Sequence, residues 1–134
     1  MEIGDNCWIG PNAVIYSDTI IGEGCKIFNG ASVGAISQDL KYKGEPTNTV
    51  IGKNTTIREF VTIHKGTTDR MTTKVGDNCL LMAYVHVAHD CLIGNNVILA
   101  NNVGLAGHIT IQDSVIMEGF VAAQQFITIG AHTF

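Results

Sequence analysis

The chain has 134 residues, with 8 Lys plus Arg against 12 Asp plus Glu for a formal net charge of −4, and 46% of it is hydrophobic against 15% charged. That balance supplies enough apolar surface for a core and excludes a disordered chain, while the mild acidity without a basic stripe excludes a nucleic-acid module. Asn, Gly, Asp or His interrupts every apolar stretch too soon for a membrane span, and Glu2 and Asp5 stand where a secretory signal would need a basic and then an apolar run. The unusual feature is a surplus of turn formers, 15 Gly and ten Asn with only 2 Pro.

Taken in chain order, every sixth residue from Ile3 is aliphatic through Ile9, Ile15, Ile21, Ile27 and Val33. The pattern lapses at Asp39 and Glu45, resumes at Ile51, Ile57 and Ile63, lapses at Asp69, and resumes from Val75 to Ile129. Nineteen of 22 such positions are apolar, where chance would give about half, so the period is that of a hexapeptide β-helix repeat. Its phase survives both lapses. Residues 39–50 and 69–74 are therefore expected to leave the repeat as excursions of whole hexads.

The other columns of the hexad agree. Three residues after the aliphatic stand Asn6, Asn12, Asp18, Gly24, Gly30, Asn54, Asn78, Asp90, Asn96 and Asn102, residue types that tolerate a left-handed backbone. One residue further on comes a small or β-branched side chain, two before the next aliphatic and so on the same face of a short strand. Each hexad is predicted to be a short strand and a turn, giving an all-β single domain over 1–134. Period six fits neither a helix nor a heptad, and recurring Gly and Asn would break helix interiors.

All four cysteines, Cys7, Cys25, Cys79 and Cys91, fall in the small inward column and are expected to be buried, reduced thiols; no CxxC supports a zinc ribbon. Among the five histidines, His132 lies in a turn column and His64, just after an inward Ile63, reads as a surface residue. His86 points outward between the inward Val85 and Val87, and His89 immediately precedes the turn residue Asp90.

The run IGDNCWIGPNAVIYSDTIIGEGCKI resembles the hexapeptide acyltransferases. The segments VGAISQDLKYKGEP, TTIREFVTIHKGT, VGDNCLLMAYVHVAHDC, ILANNVGLAGHITI and QQFITIGAH are similar, in that order, to the UDP-N-acetylglucosamine 3-O-acyltransferases of lipid A biosynthesis. The resemblance covers essentially the whole chain. It implies a left-handed parallel β-helix with three hexads per coil, a homotrimer with active sites between subunits, and a cytoplasmic enzyme. The implied reaction moves a 3-hydroxyacyl group from acyl carrier protein to the 3-hydroxyl of UDP-N-acetylglucosamine, with no cofactor beyond the carrier's phosphopantetheine and no metal.

With three hexads per coil, His89, Gly107 and Gln125 stack in one row, and Asp90, His108 and Phe126 in the next. Gly107 leaves room over His89 and an accessible backbone N–H. Acyl transfer needs a base, an oxyanion donor and orientation of both substrates. The resemblance assigns the base to His89, the oxyanion donor to Gly107 and the orienting carboxylate to Asp90. It gives substrate contacts to Gln38, His64, His86, His108, Gln124 and Gln125. Asp39 and Lys41, in the first excursion, are expected to reach into a neighbouring subunit's site.

The chain departs from the family's pattern in three respects. Gln124 replaces the family's His before Gln-Phe, exchanging a titrating imidazole for an amide. The first coils are expected to be missing, since Ile3 already opens a hexad, and the chain stops at Phe134 before the family's later coils and helical domain. Three other readings stay open. The related N-acyltransferase of the same pathway is one, and a γ-carbonic-anhydrase-like enzyme with zinc on His86, His89 and His108 is another. The last is a structural fragment without activity of its own.

Overall fold

The computed structural model describes residues 1–134 as nineteen short strands with no helix. They form three parallel sheets of seven, six and six strands, and each sheet takes every third strand in chain order. The chain thus winds as a left-handed parallel β-helix of triangular section, as the family resemblance implies. Register gives the coil length: His86 pairs with Gly104 and Gly104 with Ala122, so each turn of the helix takes three hexads.

Where the two excursions intervene, the register steps are longer by whole hexads. Ile20 pairs with Val50, five hexads on, and Val50 with Lys74, four hexads on. Both excursions are shorter at their far ends than the aliphatic count suggests. The strands Asn48–Ile51 and Thr72–Val75 are fully paired, so the chain leaves the sheets over 36–47 and 65–71 rather than 39–50 and 69–74. The reason lies in Thr49 and Thr73, completely buried in the small inward column, where their hydroxyls hide them from an apolar count.

The core is one continuous column of 24 buried residues, mostly the aliphatic and small positions of successive hexads. The four cysteines are all free, and each thiol donates to a backbone carbonyl of the next coil: Cys7 to Gly22 (3.2 Å), Cys25 to Gly52 (2.9 Å), Cys79 to Gly94 (3.1 Å) and Cys91 to Ala106 (3.1 Å). Along one corner a side-chain ladder ties the coils together, with Asp77 Oδ1 accepting from Lys53 N (2.7 Å), Asn95 Oδ1 from Asp77 N (2.8 Å) and Asp113 Oδ1 from Asn95 N (2.7 Å).

The turn column holds left-handed residues throughout, Asn54, Asn78 and Asn96 among them at φ 55–58°. It also holds Phe60, Tyr84, His108, Phe120 and Phe126 at φ 58–64°, where a bulky side chain is costly by about 1–2 kcal/mol. Stacking offsets part of that cost for Phe60 and Tyr84, whose rings lie 5.4 Å apart and 14° from parallel. The Phe60 ring lies where a Cβ on Gly30 would be, 2.4 Å from its Cε1, so only glycine fits beneath it.

The core column makes single truncations expensive. Leu81 is completely buried between flanking coils, and Leu81→Ala is expected to lower unfolding free energy by about 2–5 kcal/mol through lost burial and a residual cavity, read from the urea midpoint.

Candidate active site

Both excursions leave the helix at one corner, between the third face and the first. Over that corner lies an open cleft of about 370 Å³. His64, His86, His89, Gly107, His108, Gln125 and Phe126 line it from the coils, and Gln38, Asp39 and Lys41 of the first excursion complete it. Of the residues expected to contact substrate, Gln124 alone stays out, exposed beside Gln125.

His89 is buried, and its Nδ1 lies 2.8 Å from Asp90 Oδ2. Adjacent strand residues point apart, and the pair can meet because Asp90 sits in the turn at φ 62°. Asp90 is completely inaccessible. Its carboxylate accepts from Thr67 N (2.9 Å) and Arg70 N (3.2 Å) at Oδ1 and from the Thr67 hydroxyl at Oδ2, while its own amide donates to Thr73 Oγ1 (2.9 Å). Burial pushes its pKa up, but the hydrogen bonds from Thr67, His89 and Arg70 outweigh burial and hold it below the ordinary value. An ionised carboxylate that only accepts places the His89 proton on Nδ1 and leaves the Nε2 lone pair free.

Gly107 does stack over His89: a Cβ there would lie 2.5 Å from His89 Cε1. The Gly107 N–H makes no hydrogen bond to the rest of the chain. His108 stands edge-on to His89 at 4.9 Å, stacks on Phe126 at 4.4 Å, and places Nδ1 2.7 Å from Asp69 Oδ2. His86 is fixed by Thr62 Oγ1 at 2.7 Å from its Nδ1.

One expectation is corrected. His64 is buried at 7% exposure rather than on the surface. A bulge at Gly34 pairs Ala35 with His64, and the first excursion shares the cleft His64 lines; its ring meets His86 at 4.8 Å. Asp39 and Lys41 line the cleft of their own chain. Asp39 Oδ2 lies 3.9 Å from His89 Nε2. Tight local bonds fold this excursion back, Lys41 N to Asp39 Oδ1 (2.9 Å) and Asp39 N to Ser37 Oγ (3.0 Å).

Thr67, Asp69 and Arg70, all in the second excursion, were not singled out from sequence. The one signal there was the lapse of the repeat at Asp69. The residues best placed to hold a metal are His89, Asp90 and His108, with ligand atoms within 4.8 Å. Both Asp90 oxygens already accept two hydrogen bonds, and His108 Nδ1 faces Asp69. Asp90 is therefore already saturated by hydrogen bonds from within the chain. His86, which the zinc reading needs, is not part of the cluster.

A family model described as bacterial transferase hexapeptide (six repeats) matches residues 1–35 and 72–107, just over half of the chain. The chain belongs to this hexapeptide transferase family. Within it, the chain is 55% identical over 89 residues to an acyl-[acyl-carrier-protein]–UDP-N-acetylglucosamine O-acyltransferase of Psychromonas ingrahamii, covering 66% of this chain and 34% of that one. It is 46% identical to the protein of the same name from Bartonella henselae, covering 99% and 56%. The solved UDP-N-acetylglucosamine acyltransferase of Francisella novicida superposes with a TM-score of 0.80 at 42% identity, covering 97% of this chain and 50% of that one. The Campylobacter jejuni UDP-N-acetylglucosamine acyltransferase gives 0.78 at 38%, covering 97% and 62%. The chain spans about half the length of the curated relatives it matches.

The buried His64 imidazole makes the stability of this hexapeptide transferase pH-dependent. Burial, and then the charges of His86 and His89, lower the His64 pKa from 6.5 to about 4. Between those values the unfolded chain binds a proton that the folded chain refuses, so stability falls as pH drops from 6.5 to 4. The lowered pKa of Asp90 acts below 3.8, where stability falls further as the carboxylate takes up its proton. Urea midpoints measured across pH 4–7 are expected to fall with acidification, and less steeply in His64→Gln.

Proposed function

We propose that this chain is the acyl-transfer core of an enzyme moving a 3-hydroxyacyl group from acyl carrier protein to the 3-hydroxyl of UDP-N-acetylglucosamine, the first step of lipid A biosynthesis. The observation that carries the reading is the buried His89–Asp90 pair with the unpaired amide of Gly107 one coil above it. The names of these relatives supply donor and acceptor.

In this mechanism His89 Nε2 takes the proton of the sugar 3-hydroxyl, and the oxygen attacks the thioester carbonyl. Charge develops on the carbonyl oxygen, where the Gly107 N–H donates to it. Asp90, held ionised, stabilises the imidazolium that has formed. When the C–S bond breaks, its electron pair goes to sulfur and His89 returns the proton there, releasing the carrier thiol. His86, His108 and Gln125 orient the sugar and phosphopantetheine, with His64, Gln38 and Asp39 beside them. Lys41 lies at the cleft for the diphosphate or the acidic carrier. Gln124 stands outside that set as an exposed neighbour of Gln125. The active form is a homotrimer and works in the cytoplasm, where carrier-bound acyl groups are made. No helix of the chain is long and apolar enough to cross a membrane.

His89→Ala is expected to lower turnover of 3-hydroxyacyl carrier protein and UDP-N-acetylglucosamine by roughly 10²–10⁴-fold with the circular dichroism unchanged. Gly107→Ala should act in the same direction, because its methyl group meets the imidazole. Full turnover in His89→Ala would sink the assignment, and a preference for an amino acceptor would move it to the N-acyltransferase.

A further inference from the structure

The tautomer of His89 is contested by two carboxylates. Asp90 Oδ2 lies 2.8 Å from Nδ1, and Asp39 Oδ2 lies 3.9 Å from Nε2 on the opposite edge of the ring. A base that takes a proton at Nε2 requires the first partner to win. What distinguishes the two is how firmly each is held. Asp39 rides on an excursion, one fifth exposed, and bonds through Oδ1 to the amide of Lys41 in the same loop. Asp90 has no accessible surface and is gripped from outside the repeat.

The grip comes chiefly from one residue. Thr67 is buried and spends both its donors on Asp90, the amide on Oδ1 at 2.9 Å and the hydroxyl on Oδ2. The amide of Asp69 donates to Thr67 Oγ1 at 3.4 Å, so the hydroxyl oxygen already accepts and its hydrogen is free to point at the carboxylate. A second amide, that of Arg70, meets Oδ1 at 3.2 Å, and the Arg70 guanidinium bridges Asp90 O (3.1 Å) and Thr110 Oγ1 (3.2 Å), fixing the excursion to the coils. The two amides hold Oδ1. The Thr67 hydroxyl alone shares Oδ2 with the imidazole, and it sets the rotation of the carboxylate about Oδ1.

We infer that Thr67 is a positioning residue of this site, acting through Asp90 to hold His89 as the Nδ1–H tautomer with Nε2 directed into the cleft. The activity arm of this inference rests on the acyl-transfer reading above; its spectroscopic arm does not. Partners that orient a catalytic imidazole or carboxylate typically matter by about 10- to 100-fold, and a misoriented tautomer costs turnover with little change in substrate affinity.

The test uses the whole protein with ¹⁵N-labelled histidine. In the wild type the His89 ring nitrogens are expected to report the Nδ1–H form. Thr67→Val, which keeps the shape and removes the hydroxyl, should give a mixture with the Nε2–H form. It should also lower kcat by about 10- to 100-fold and leave KM nearly unchanged, and Thr67→Ser should restore both readouts. Thr67→Ala, with no added branch to clash, is expected to match Thr67→Val should the latter fold poorly. A wild-type tautomer in Thr67→Val or Thr67→Ala overturns the inference, as does a Thr67→Ser as impaired as Thr67→Val. Absence of wild-type turnover on UDP-N-acetylglucosamine would overturn the substrate assignment instead, and the nitrogen shifts would still decide the role of Thr67.

Discussion

Each coil offers its backbone N–H groups to the carbonyls of the coil beside it, as Lys74 N does to Cys91 O at 2.9 Å and Leu92 N to Ile109 O at 2.8 Å. A parallel ladder of this kind has no freedom to slip, since a shift of one residue would turn every inward aliphatic outward. Additional chain can therefore enter only at a corner and only in whole hexads. The two excursions obey that rule and leave by the same corner on successive coils. There, and not along the flat faces, side chains from outside the repeat meet side chains of the repeat.

The chemistry of the corner follows from that meeting. A left-handed turn residue has its side chain swung out of the strand alternation, which brings Asp90 beside His89. A buried carboxylate without partners would be neutral. The second excursion supplies two amides and a hydroxyl that keep it ionised, and the first closes the cleft from the other side. The coils provide rigidity and spacing, with Gly107 one turn above the imidazole, and the excursions provide polarity. Neither part alone pairs His89 with a fully hydrogen-bonded buried carboxylate.

What could be read from the sequence was whatever repeats. Hexad spacing located the cysteine column, the turn column and both excursions, which displace the count by whole hexads; the family resemblance supplied three hexads per coil, and with them the three faces and the His89–Gly107 row. What it could not give was non-periodic. Thr67, Asp69 and Arg70 meet Asp90 and His108 across a loop, with no fixed offset to betray them. His64 looked exposed by alternation and is buried because a bulge at Gly34 and the first excursion intervene. Thr49 and Thr73 occupy core positions with polar side chains, which hid two strand starts. Phe60, Tyr84 and Phe126 occupy left-handed turns that composition would reserve for Gly and Asn, and ring stacking offsets the strain.

The cysteine column has a practical side. Three of the four thiols are buried, and burial raises their pKa values, in Cys91 to about 11. Nucleophilic attack by cysteine proceeds through the thiolate, so at neutral pH these sulfurs are poor targets for oxidants and disulfide reagents. A chain with this many cysteines is thereby quiet toward thiol-reactive dyes. A colour reaction for newly released thiol could be run in its presence, with only the half-buried Cys7 contributing to the background.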